Sequence, residues 1–390
     1  MFFQGQRLMD FFLTEEQQLL VDTFRRFADK ELKPVALEYR DRLIPGELAR
    51  RLQSEMLPFG VGAGVVSEDL GGLGLDTFTV GLLQFELARI SPDIAVTSLI
   101  QMIVGKLLPY VPDHLRKSYA EAVLSAEKLG CVGMSEPGAG SQVTAVSCRA
   151  RESGDDFIIS GEKLWISSGG YSDFIFLLAR FNDDPVGGLG LILVDREHGY
   201  QTSEIRKMGL NSQSTAQVIF EDVRVPKTNL MVAPGEAMKT LFVSLAGSRP
   251  IVALMALGVA QAALDEATKY AVDRHQFDKP IAGHQLISAM LGEMATKLEA
   301  GKLLSFKALD AIDRGHRSDV NAAMCKWYST DVACEIVASA MQIHGGNGIT
   351  QEFPIEYMYR AVRPFMVTEG TNEIQKLSIG RALTGIDSFG

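Results

Sequence analysis

Glu369 stands between Thr368 and Gly370, just ahead of Thr371-Asn372-Glu373, which reads as the start of a last helix. Thr371 suits the cap of that helix, because a hydroxyl accepts backbone N–H groups left free in a first turn. A carboxylate in the loop before the cap either complements the helix dipole or serves as a general base. Gly370 beside it lets a ligand approach the backbone closely. A second candidate is the glycine turn at 134–141, MSEPGAGS. Its amides and hydroxyls can hold an anion or a polar ring edge, although read alone it is a loop between domains. A third is KLWISSGG at 163–170, which places one of two tryptophans beside hydroxyls and glycines. Trp165 can stack on a planar ring, and a serine can bond a ring nitrogen. Taken by itself, a tryptophan in a strand belongs in the core. Arg274 closes a long apolar stretch, where a guanidinium complements a helix end or binds pyrophosphate. His344 reads as a structural or interface histidine.

Three kinds of chain must hold these groups. Residues 14–130 read as helical, opening on Thr14-Glu15-Glu16-Gln17, a capping-box pattern, and interrupted by a glycine-rich break at 60–74. From about 131 the pattern turns strand-like at 156–160, 173–178, 189–194 and 217–225, with turns such as 182–185 between. From about 239 helical spacing returns, with long candidates at 251–272, 286–314 and 319–343 and a stop at 345–348. Helices, then strands, then helices imply segregated layers, a mostly α protein with a central β domain. No GxGxxG follows a strand, so nicotinamide binding has no support.

Composition narrows the function classes. The 390 residues carry 38 Lys and Arg against 48 Asp and Glu, a net charge of −10. That balance disfavours nucleic acid as a partner, DNA included. No run of about 18 uninterrupted apolar residues predicts a membrane span. Near the N-terminus Gln4, Gln6, Arg7 and Asp10 break up any signal-peptide core. Cys131, Cys148, Cys325 and Cys334 lie far apart, with no metal pattern, so reduced thiols in a cytoplasmic protein are expected.

In order, MSEPGAGS (134–141), KLWIS (163–167), FEDVRVP (220–226), ALDEATKYAVDRHQFDKPI (263–281), QIHGGNG (342–348) and TEGTNEIQ (368–375) resemble the acyl-CoA dehydrogenase family of flavoproteins. The resemblance runs from Leu13 to the final helix. It implies an N-terminal helical domain over 1–130, a barrel-like β domain over 131–238 and a C-terminal four-helix bundle over 239–390, with the flavin of FAD between the last two. Val132, Met134, Ser135, Gly140 and Ser141 would line the flavin, Ser135 near its pyrimidine edge. Trp165 and Ile166 would flank the ring, with Ser167 near N5. Thr371 and Glu373 would touch the cofactor beside the catalytic loop. Arg274, Gln276, Phe277, His284, Gln285, Gln342, Gly345 and Gly346 would reach the FAD of a neighbouring subunit, so a homodimer or homotetramer is implied.

The resemblance makes Glu369 the base. It would take the α-proton of an acyl thioester while the β-hydrogen leaves as hydride to the flavin, giving a trans-2-enoyl thioester. The Glu369 N–H and a ribityl hydroxyl would polarise the thioester carbonyl. Burial by the acyl chain should raise the glutamate pKa, with the helix dipole working against the rise. Ser141, Arg249, Thr368 and Gly370 would lie on the substrate side. Some members carry the base at the position of Ser248, where a serine cannot replace a carboxylate. Thr368 stands where tyrosine is common, Ala246 and Ala361 where aspartates are, Gln142 for aspartate and Asp278 for glycine. These departures point to a branched, cyclic or otherwise unusual acyl group. Electron-transfer flavoprotein is the implied acceptor. An acyl group tethered to a carrier protein is the alternative substrate, and an oxidase using O2 the alternative reaction, although oxidases of this fold are longer.

Overall fold

A computed structural model of the chain describes residues 13–184 and 187–387. Gln4, Gln6, Arg7 and Asp10 of the N-terminal stretch, and Pro185 of the 182–185 turn, lie outside the described residues.

The N-terminal layer is helical: α1 Glu15–Phe27, α2 Lys33–Glu38, α3 Gly46–Met56, α4 Thr77–Ile90, α5 Pro92–Leu107 and α6 Asp113–Leu124. The capping box forms, Thr14 Oγ1 accepting from the Gln17 N–H and Gln17 Oε1 from the Thr14 N–H, each at 3.1 Å. Helices α4 and α5 are apolar on nearly every side and are buried on nearly every side. Ser91 ends the first and caps the second, accepting from the Ile94 N–H at 3.2 Å. Pro92 follows at the first helical position, where its missing N–H costs nothing.

The central layer holds β1 Gly130–Gly133, β2 Arg149–Ser153, β3 Asp156–Ser167, β4 Phe174–Arg180, β5 Leu189–Asp195, β6 Gln201–Glu204, β7 Thr215–Pro226 and β8 Leu230–Val232. The order is β6-β7-β3-β2-β4-β5-β8, with β1 parallel to β4. The expected barrel does not close: β6 and β8 end an open sheet, and β2 meets β4 at one register pair, Arg149 with Arg180. The sheet is covered instead. Phe174, Phe176 and Leu193 pack into the core of the helical layers, so closure is not needed to bury that face. The short β1, β2, β6 and β8 escaped the periodicity reading, because a few residues carry too little alternation.

The C-terminal layer comprises α7 Ala237–Asp273, a hairpin of β9 His275–Gln276 and β10 Lys279–Pro280, then α8 Gln285–Asp313, α9 Asp319–His344, α10 Ile355–Val362 and α11 Asn372–Thr384. Helices α7, α8 and α9 pack on one another, and α11 rests on α9. Helix α7 is long and apolar enough to cross a membrane by length and composition, yet most of it is buried inside the fold. It begins well before the expected residue 251, continuing through Pro250. Proline removes one helical hydrogen bond, and packing along the rest carries the helix through.

Asp93 joins the layers. From α5 its Oδ1 accepts the Ser212 and Gln213 N–H groups, at 2.8 and 3.2 Å, from the loop before β7. Its Oδ2 accepts the Tyr357 hydroxyl of α10 at 2.5 Å.

Candidate active site

Glu369 has a left-handed backbone, φ 55°, which costs a non-glycine residue about 1 kcal/mol or more. Its surroundings hold it there. Arg249 Nε of α7 and Gln375 Nε2 of α11 donate to the Glu369 carbonyl at 3.2 and 3.3 Å. Lys326 Nζ of α9 donates to the carbonyls of Met366 and Gly370, each at 2.9 Å, and to Asn372 Oδ1 at 2.8 Å. Thr371 caps α11, its hydroxyl accepting from the Ile374 N–H at 3.3 Å. Gly370, at φ 88°, completes the turn. Strain over-determined by surrounding bonds is characteristic of a site that needs one group in one place.

The half-buried Glu369 carboxylate accepts the Ser248 hydroxyl of α7 at 2.6 Å. Burial raises its pKa above the usual carboxylate value, while the Ser248 hydroxyl, the Arg249 guanidinium and the Lys326 ammonium pull it back. Burial lowers Lys326 to about 7, against the attraction of Glu369. A carboxylate so placed is a stronger base than an ordinary one.

The glycine loop is built from the opposite layer. Lys163 and Glu136 form a buried pair at 2.8 Å, and Lys163 Nζ also donates to the Met134 carbonyl at 3.1 Å. Glu136 accepts the Ser147 and Cys148 N–H groups at 2.7 and 2.9 Å. The Leu164 N–H donates to the Ser135 carbonyl at 2.9 Å. These bonds clamp 134–141 against β3. Val132, Met134, Ser135 and Ser167 are half-buried, Ile166 is buried, and Gly140 and Ser141 are exposed. Trp165 is no core residue. The β3–β7 register shifts between Lys163 and Ile166, Trp165 takes φ 65°, and the ring is 59% exposed while Lys163 turns inward. A bulge re-aims a side chain in this way, and strand alternation cannot anticipate it.

Helix α7 ties the loop to Glu369. Its first turns, Ala237 to Leu241, pack with Ala139 and Met134, and Ser248 and Arg249 follow on the same helix. Thr368 and Glu373 are exposed beside Glu369.

The remaining candidates gather elsewhere. Arg274 caps the far end of α7, roughly 37 Å from Arg249 at 1.5 Å per residue. Gln276, Phe277 and Gln285 are exposed there, and His284 Nε2 bonds the Gln276 carbonyl at 3.2 Å. Phe277 and Asp278 both take positive φ in the hairpin turn, and Phe277 is 88% exposed. Gln342, Gly345 and Gly346 are exposed at the same end, because the buried His344 stacks on Tyr270 of α7 at 4.3 Å. Among the described residues the His344 Nε2 is buried without a hydrogen-bond partner, as is the Ser168 Oγ beside Ser167.

Glu136, Lys163 and Gln375 lie inside the quoted motifs but were given no role of their own, Ser248 was weighed only as a base, and Lys326 was not among the sequence candidates. A lysine inside the apolar spacing of 319–343 was the one available signal; the rest become visible only as neighbours in space.

Three domain families match the chain: acyl-CoA dehydrogenase N-terminal domain over 14–127, middle domain over 131–223 and C-terminal domain over 238–384. A caffeyl-CoA reductase–Etf complex subunit of Acetobacterium woodii is 34% identical, across 95% of this chain and 99% of its own. Among solved structures, butyryl-CoA dehydrogenase of Megasphaera elsdenii superposes with a TM-score of 0.90 at 30% identity, covering 96% of this chain and 100% of that one. A glutaryl-CoA dehydrogenase of Mycobacterium smegmatis in complex with FADH2 superposes with a TM-score of 0.90 at 27% identity, covering 97% of each.

Proposed function

The chain belongs to the acyl-CoA dehydrogenase family, oxidoreductases acting on CH–CH bonds, and from that premise we propose that it uses FAD to dehydrogenate an unusual acyl-CoA at the α,β position, with Glu369 as base. The observation that carries the reading is the strained, half-buried Glu369, its carboxyl raised by burial and its backbone fixed by Arg249, Gln375 and the Lys326-braced turn.

The residues suit FAD. Trp165 is held out of the core beside the clamped glycine loop, and side chains at Gly138 and Gly140 would meet open space, so a ring can reach that backbone. When bound, FAD would accept the substrate β-hydrogen as hydride. Ser135, Ser141 and Ser167 would bond its polar edges, and Trp165 would cover its ring. Glu369 removes the α-proton. Its α-carbon partner must lie on the side of the carboxyl not taken by Ser248 Oγ. Arg249 keeps the loop from turning the carboxyl away by holding the Glu369 carbonyl. Thr368, small and exposed, leaves space for a bulky acyl group.

A homodimer or larger assembly goes with this reading. Arg274, Gln276, Phe277 and the Gln342–Gly346 corner are too far from Glu369 to share one cofactor with it, and the exposed Phe277 suits a contact with a neighbour. Electron-transfer flavoprotein is proposed as acceptor, in line with the Etf complex to which the Acetobacterium relative belongs. That relative is a reductase, which favours a second reading: the same site run towards the saturated thioester, its direction set by the electron partner.

Purified protein should carry a flavin absorbance band. A panel of acyl-CoA and carrier-bound thioesters, scored by anaerobic loss of that band, tests the reaction. Protein that stays colourless after reconstitution with FAD, or a band that no thioester bleaches, would sink the reading.

A further inference from the structure

We propose that Lys106 is the recognition site for a carboxylate on the acyl chain, a substrate class that rests on the dehydrogenase reading above. Lys106 lies in the last turn of α5, where a lysine ordinarily extends into solvent and complements the helix dipole. Here it turns inward. A methyl group placed on Gly247 of α7 would stand 2.9 Å from its Nζ, so that glycine makes the room the ammonium occupies. The next two residues of α7 serve the base: Ser248 bonds the Glu369 carboxylate at 2.6 Å and Arg249 its carbonyl at 3.2 Å. Residues 247–249 thus bring together, in one helical turn, the room for a cation and two contacts to the base.

Among the described residues Lys106 has no hydrogen bond or ion pair. Asp313 attracts it, but that carboxylate is engaged at the start of α4, accepting from the Thr77 N–H and hydroxyl at 2.8 Å and the Phe78 N–H at 2.9 Å. Burial lowers the Lys106 pKa from its ordinary value. A half-buried cation without a partner is costly, and a carboxylate delivered by the substrate would offset that cost with a charge-assisted bond. The nucleotide phosphates of CoA are bulky and strongly hydrated, which fits poorly with a place between α5 and α7. The nearness of Gly247 to Ser248 puts the charge only a few carbons from the reacting atoms, so a short carboxylated chain fits. This narrows the unusual acyl group to an anionic one.

The test is calorimetric titration of the FAD-loaded enzyme, without oxygen, with length-matched pairs: succinyl- against butyryl-CoA, glutaryl- against valeryl-CoA, adipoyl- against hexanoyl-CoA. At least one carboxylated thioester should bind about tenfold or more tightly than its methyl-ended partner. Lys106→Met should bring that ratio close to one, and Lys106→Arg should keep it. Methyl-ended thioesters binding as well at every length would overturn the proposal, as would a ratio that survives Lys106→Met. Equal weakening of both classes by Lys106→Met would assign the lysine to the CoA moiety and overturn it too. Where Lys106→Met does not load FAD, the wild-type ratio decides alone. Because the ratio is read from binding, a flavin that no thioester bleaches would defeat the dehydrogenase reading separately.

Discussion

A glutamate is a stronger base near neutral pH when its environment raises its pKa without leaving it permanently protonated. Burial raises Glu369, and Ser248, Arg249 and Lys326 limit the rise. A base works ionised, so activity should be present above the Glu369 pKa and fall as pH drops through it, at a pH above the ordinary carboxylate range. Ser248→Ala removes a bond that favours the ionised form, so the acidic limb of the kcat/KM profile should move to higher pH. A limb that stays in place would detach Ser248 from the base. Glu369→Gln should retain FAD and slow flavin bleaching by about a hundredfold or more, measured by stopped-flow absorbance. Glu369 stood out as a candidate because it sits beside a glycine and two residues ahead of a recognisable cap, Thr371. Ser248 was weighed only as a replacement base. Its role as hydroxyl donor depends on a neighbour 121 residues away.

Elements position these groups by close approach. Gly258 of α7 lies against α4, where an added Cβ would stand 2.4 Å from the Phe85 carbonyl. Gly258→Ala should therefore push α4 and α7 apart, cost about 1–3 kcal/mol and lower the thermal midpoint. An unchanged midpoint would show that the two helices can yield. Long helices and long strands were legible because their spacing repeats often enough to stand out. The inward Lys163 and outward Trp165 were not, because a bulge reverses the alternation locally.

Across the whole molecule, Asp93 holds the N-terminal, central and C-terminal layers together through Ser212, Gln213 and Tyr357. Asp93→Ala would strand the two buried N–H groups and the hydroxyl, and should cost roughly 3 kcal/mol or more in chemical denaturation. The loss should lower activity as well, since the glycine loop and Glu369 lie on different layers. A variant with full stability would mean that packing alone fixes the layers. Nothing local marks Asp93: it follows a proline at a helix start, where an acidic residue is ordinary.

The order of layers, the capped start of the last helix and the six motifs lie in the sequence itself, since each is set by residues near one another in the chain. That was enough to bring the family within reach and to single out Glu369 as a candidate. The open sheet, the exposed Trp165, the Ser248–Glu369 bond and the inward Lys106 were decided by tertiary structure. Each depends on which surfaces meet across long separations, and burial, hydrogen-bond partners and the electrostatic environment exist only once they do.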